Sequence, residues 1–207
     1  MNNSLHFYIE NEILPRYRAF DAAHRIDHAR AVIERSLELA ARCKADPDMA
    51  YTVAAYHDLG LCDGRERHHL RSGELLATDP ALRQWFSEEQ IALMREAVED
   101  HRASADREPR SVYGRIVAEA DRCLDPDTVL RRTIQYGLEH HPDLDREEQY
   151  ARCCDHLRRK YADGGYLRLW IPDSDNGRKL EELRLLIRRQ DELRRRFGII
   201  YEQVTAR

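Results

Sequence analysis

The 207-residue chain is short of the residues that break or cross-link a fold: 9 glycines, 7 prolines and 5 cysteines. The cysteines (Cys43, Cys62, Cys123, Cys153, Cys154) are odd in number and contain no Cys-x-x-Cys pair. That excludes a disulfide framework and a zinc knuckle and is the usage expected of reduced thiols in a cytoplasmic protein. No apolar run reaches the length of a membrane span, and Met1–His6 lacks the basic-then-apolar pattern of a signal peptide, so no membrane association is expected. Neither sign of charge dominates. With 34 Lys and Arg against 38 Asp and Glu, the net charge of −4 provides no global attraction to nucleic acid or anionic lipid. The basic run Arg194-Arg195-Arg196 is preceded by Asp191 and Glu192 and reads as a solvated helix face. Also missing are a phosphate-binding glycine loop with Lys-Ser/Thr, His-Glu-x-x-His, Gly-x-Ser-x-Gly and a deaminase Pro-Cys-x-x-Cys.

What remains is rich in Leu, Ala, Arg and Glu at helical spacing, which predicts an all-α fold. A short helix is expected over 5–18. A second spans about 21–42 on the stripe Ile26, Ala29, Ile33, Leu37 and Ala41. Asp46-Pro47-Asp48 caps a third, which runs through Met49, Val53 and Ala54 to His57, with Gly60 as its stop. Another passes through Leu76, and Ser87-x-x-Gln90 marks a capping box before Ile91, Met94 and Val98. Tyr113 to Leu124 carries the next. Beyond Asp125-Pro126-Asp127, helices over about 127–139 and 145–161 precede a short hairpin at 166–172 and one long helix from 177 to 204. The reading is a single domain over residues 1–207, with its catalytic core at about 20–125 and a helical C-terminal extension at about 126–207.

Several chemically costly residues interrupt these apolar stripes. Asp121 lies one turn after Val117 and three residues before Leu124. A carboxylate buried there without a partner costs several kcal/mol, as an order of magnitude, or stays protonated, and a bound cation removes the penalty. His101 extends the Ile91, Met94, Val98 stripe, and His57 extends Ala50, Val53 and Ala54. Taken singly, an inward histidine is more often a hydrogen-bonded core residue than a ligand. Three helices each placing a ligand-type residue inward favour a metal. His24 and His28, an i, i+4 pair, add a further candidate grip.

The order of these residues resembles the HD-domain metal-dependent phosphohydrolase superfamily. His28 stands in His28-Ala29-Arg30-Ala31-Val32, and His57-Asp58 in Tyr56-His57-Asp58-Leu59-Gly60. His101 stands in Asp100-His101-Arg102, and Asp121 in Ala120-Asp121-Arg122. The resemblance covers roughly the first two-thirds of the chain. It implies an HD-type helical bundle in which His28, His57, Asp58 and Asp121 ligate a divalent ion, with His24 left to the core or to supporting contacts. It also implies a six-ligand variant in which His69 and His101 serve a second ion and Asp58 bridges. One or two ions are expected, and the donors do not choose among Mn, Fe, Ni, Co, Mg and Zn.

The implied activity is hydrolysis of a small phosphate ester or nucleotide by a metal-activated hydroxide. Asp58 would orient the nucleophile, and Arg102 or Arg122 would hold the phosphate. Cyclic dinucleotides fit poorly, because Leu61 follows Gly60 and no Gly-Tyr-Pro follows His101. A di-iron oxygenase of the same superfamily and a non-catalytic ligand-sensing HD module are the alternatives. A small-molecule phosphate is the expected partner, and homo-oligomerisation is left open.

Overall fold

The computed structural model describes residues 2–20, 26–104, 107–171 and 174–206. Among these are ten α-helices and no strand, an all-α fold. The chain divides into two compact units, residues 1–122 and 123–207. No helix among the described residues is long and apolar enough to cross a membrane.

The first unit is built around one helix. In order it contains α1 (Asn3–Tyr8), α2 (Ile26–Cys43), α3 (Pro47–Tyr56), α4 (His68–Thr78), α5 (Glu88–Glu99) and α6 (Val112–Ala120). Every residue of α3 from Met49 to Tyr56 is buried, because α2, α4, α5 and α6 all pack on it. A helix apolar on all sides belongs at the centre of a bundle. Asp46 caps it as expected, accepting from the Asp48 and Met49 amides. Ser87 and Gln90 close the reciprocal capping box that starts α5.

The helix expected over 5–18 departs from that description. After α1 the chain continues as a π-helical turn (Ile9–Ile13) and a 3-10 segment (Leu14–Ala19), with Pro15 at the start of the latter. The beginning of the second helix, Asp21 to Arg25, lies outside the described residues, and His24 with it. Gly60 is not where α3 stops. The helix ends at Tyr56, and Gly60 sits inside the 3-10 turn Leu59–Asp63.

The second unit contains α7 (Pro126–His140), α8 (Arg146–Tyr161), α9 (Asp175–Arg188) and α10 (Gln190–Thr205). The expected hairpin at 166–172 is absent among its described residues. Instead the Tyr166 and Leu167 amides donate to the Arg159 and Lys160 carbonyls, so the segment satisfies the open end of α8 rather than pairing as strands. The single long helix expected from 177 is two helices broken at Arg189 (φ −92°, ψ 78°).

A candidate two-cation centre

Three helices of the first unit end at one place. His57 is the C-cap of α3, Asp100 is the C-cap of α5 with His101 next to it, and Asp121 is the C-cap of α6. Helix C-termini carry partial negative charge, so each favours a cation nearby by about 0.3–1 kcal/mol. Because α3 stops at Tyr56, Asp58 leaves helical geometry (φ −110°, ψ 3°). It can then face His57, which it would not do about 100° further round a continuing helix.

Asp58 is the hub. Its Oδ2 lies 3.2 Å from His57 Nε2 and 3.5 Å from His28 Nε2. Its Oδ1 lies 3.4 Å from His68 Nε2 and 3.5 Å from His101 Nε2. Asp121 Oδ1 joins the first group, 3.3 Å from His28 Nε2 and 4.0 Å from His57 Nε2. Within each group the imidazoles approach closely: His57 and His28 Nε2 atoms are 3.3 Å apart, and those of His68 and His101 are 3.1 Å apart. Metal–ligand bonds of about 2.0–2.2 Å set neighbouring ligand atoms about 3.0–3.5 Å apart, so both groups have the spacing of a coordination shell.

The backbone decides which ring nitrogen points inward. His57 Nδ1 is 2.7 Å from the Ala54 carbonyl, His68 Nδ1 is 2.8 Å from the Arg65 carbonyl, and His101 Nδ1 is 2.6 Å from the Val98 carbonyl. A carbonyl only accepts, so each Nδ1 carries the proton and donates it, and each neutral ring offers an Nε2 lone pair to the centre. The lone pairs of His68 and His101, facing one another at 3.1 Å, repel unless positive charge sits between them. The donor set therefore fits two divalent cations that share Asp58.

The carboxylates draw positive charge into the first group. Burial works to lower the His28 pKa, but the Asp121 and Asp58 carboxylates outweigh it and raise it to about 9. Burial opposes the rise at His57 too, and Asp58 again prevails. Burial would raise Asp58, yet the imidazoles of His57, His101 and His28 hold it well below the usual carboxylate range. Asp121 shows the same balance, with burial overcome chiefly by His28, and falls to about 2. His68 goes the other way: burial and neighbouring His101 lower it, which keeps that ring neutral.

Supporting contacts hold the hub in place. Tyr17, fully buried, donates its hydroxyl to the Ala55 carbonyl at 2.9 Å and accepts from the Asp58 amide at 3.3 Å. Gly60 N donates to Ser72 Oγ at 2.8 Å, docking the 3-10 turn against the first turns of α4. A β-carbon at Gly60 would come within 2.2 Å of the His68 carbonyl and 2.6 Å of the Ser72 amide, so only glycine permits this approach.

Of the residues singled out in the sequence, His28, His57, Asp58, His101 and Asp121 come together here. His69 does not. Its neighbour His68 occupies the place, and His69 turns aside with its Nδ1 buried and unpartnered. Burial and nearby Arg102 lower His69 to about 4. The signal separating the two was available: His68 precedes the fully buried Ser72 and Leu76 by one and two turns at i, i+4 spacing. Tyr17 had no comparable signal. Asp121 also differs from expectation, for it sits at the rim with 23% of its side chain exposed, against 6% for Asp58. Arg122 is buried, donates to the His101 carbonyl at 3.2 Å and lies 3.7 Å from Asp121 Oδ2. Arg102 donates to the Glu66 carbonyl at 3.0 Å.

The HD domain family model matches residues 25–124. This chain carries an HD domain. The match begins just before α2 and ends just after Asp121, so it contains every residue of the centre. The family includes metal-dependent phosphohydrolases, and its members bind divalent metals. No curated protein and no solved structure shows significant similarity to the chain.

Proposed function

We propose that the protein is a metal-dependent phosphohydrolase acting on a small phosphate ester or nucleotide. The observation that carries this reading is the convergence of four imidazole Nε2 atoms on the two oxygens of one buried carboxylate, Asp58. His28, His57, Asp58 and Asp121 would hold one divalent ion, and Asp58, His68 and His101 the other. Ions held there supply Lewis acidity toward a phosphoryl oxygen and acidify water.

The protein's own groups do the rest. His57, His68 and His101 are locked by their carbonyl partners, so their ligand atoms are preorganised before substrate arrives. Asp58 has both oxygens committed to imidazoles and acts as a bridge that keeps the two positions in register. Asp121 lies at the open rim, where its part is to ligate and to orient. Arg122 works on Asp121 and on the His101 backbone and serves as a positioning residue, not as a phosphate clamp.

The same six donors suit a di-iron oxygenase, so the test is run without oxygen. Nucleotides and small phosphate esters are screened anaerobically with added manganese or magnesium, with Asp58→Ala as control. Hydrolysis that disappears in the control supports the reading. Turnover that requires iron and oxygen supports the oxygenase. A control that hydrolyses the best substrate as fast as the parent places the activity elsewhere.

A further inference from the structure

A cleft of about 340 Å³ opens beside the second imidazole pair, between the first turn of α4 and the segment after α5. Its wall includes His69, Leu70, Arg102, Ser104 and Arg107. Two of these are chain neighbours of the proposed ligands: His69 follows His68, with ring centroids 5.7 Å apart, and Arg102 follows His101. Two walls of the cleft thus continue along the chain into the second imidazole pair.

Among the described lining residues one charge stands without a counter-charge. The acids there are already paired: Asp100 with Arg107 at 3.1 Å and Arg110 at 3.0 Å, and Glu99 with Arg95 and Arg110 at 2.8 Å each. Arg102 is different. Among the described residues it has no carboxylate at ion-pair distance, and its guanidinium donates only to the Glu66 carbonyl. It is partly buried, so part of its hydration is lost without a counter-charge to replace it. An anion in the cleft would restore that balance through a charge-assisted hydrogen bond. Leu70, 38% exposed, offers an apolar wall for a carbon skeleton beside it. The volume falls at the lower end of the range for small-molecule sites.

We propose that this cleft binds the non-reacting end of the substrate, and that this end carries a second anionic group held by Arg102. The proposal rests on the phosphohydrolase reading and narrows it to phosphomonoesters with a further phosphate or carboxylate a few bonds away. Selectivity then comes from the cleft and reactivity from the cation centre.

The test is equilibrium binding by calorimetry on metal-supplemented full-length protein, with butyl phosphate and butane-1,4-diyl bisphosphate as probes. The parent should bind the bisphosphate about tenfold or more tightly, the gain expected of one added charge-assisted contact. Arg102→Gln should reduce the bisphosphate to the affinity of butyl phosphate. Ser104→Glu, which adds a carboxylate to the exposed wall and leaves the Arg102–Glu66 contact in place, should do the same. Equal affinities in the parent, or a bisphosphate preference that survives both substitutions, would overturn the proposal. Butyl phosphate failing to bind while the bisphosphate binds in an Arg102-dependent way would uphold the cleft and count against the cation centre as the phosphate site.

Discussion

Asp58 belongs to both halves of the centre, and this sets it apart from every other ligand. Each of its oxygens faces two imidazoles, and three of the four, His57, His68 and His101, are fixed from behind by backbone carbonyls three residues earlier in the chain. Burial also acts on an imidazole of the second unit, His156. There burial, followed by Lys160, Arg152 and Arg159, lowers the imidazole to about 4. The unfolded state, with an ordinary histidine near 6.5, binds the proton more readily, so this group's contribution to stability is full above about 6.5. It is lost as pH falls from there toward 4. Replacing His156 with glutamine should flatten the acid side of the stability curve over that window, measured as denaturation midpoints from pH 7 to pH 4. An unchanged slope would show that His156 is not held neutral in the fold.

At the scale of elements, the centre depends on where helices stop. The end of α3 at Tyr56 frees Asp58 to turn, and the ends of α5 and α6 deliver His101 and Asp121. The start of α4 delivers His68, and its distance from α3 is set by Gly60. Gly60→Ala should therefore push α4 away from the 3-10 turn, because the atoms in the way are backbone. A loss of about 1–3 kcal/mol is the expected cost of such overpacking. The melting temperature should fall and the cation served by His68 and His101 should bind more weakly, while the one served by His28 and Asp121 is retained. Unchanged binding of both ions would mean that Gly60 has no bearing on the centre.

Much of this was legible before the structure. Apolar periodicity and caps located the helices from α2 to α8, because those signals are local. The order His28, His57-Asp58, His101, Asp121 was legible through its resemblance to the HD-domain superfamily. The choice between His68 and His69 turned on one residue of register: only His68 shares the α4 face of Ser72 and Leu76, one and two turns on. The break at Arg189 has no periodic signature, because buried Leu186 and Leu193 stand seven residues apart and in phase for one straight helix. The Tyr17 contact with Asp58 spans 41 positions and has no periodic signature at all.

On the scale of the whole molecule, a first unit carrying the HD domain holds the entire centre, and a second unit of four helices follows it. Two cations sharing one carboxylate in the first unit is the central proposal. Elemental analysis of the purified, metal-supplemented protein tests this most directly, alongside Asp58→Ala, His68→Ala and His69→Ala. The account predicts two divalent ions per chain in the parent and in His69→Ala, one in His68→Ala, and none held stoichiometrically in Asp58→Ala. Stoichiometric metal in Asp58→Ala, or loss of an ion in His69→Ala with retention in His68→Ala, would contradict it.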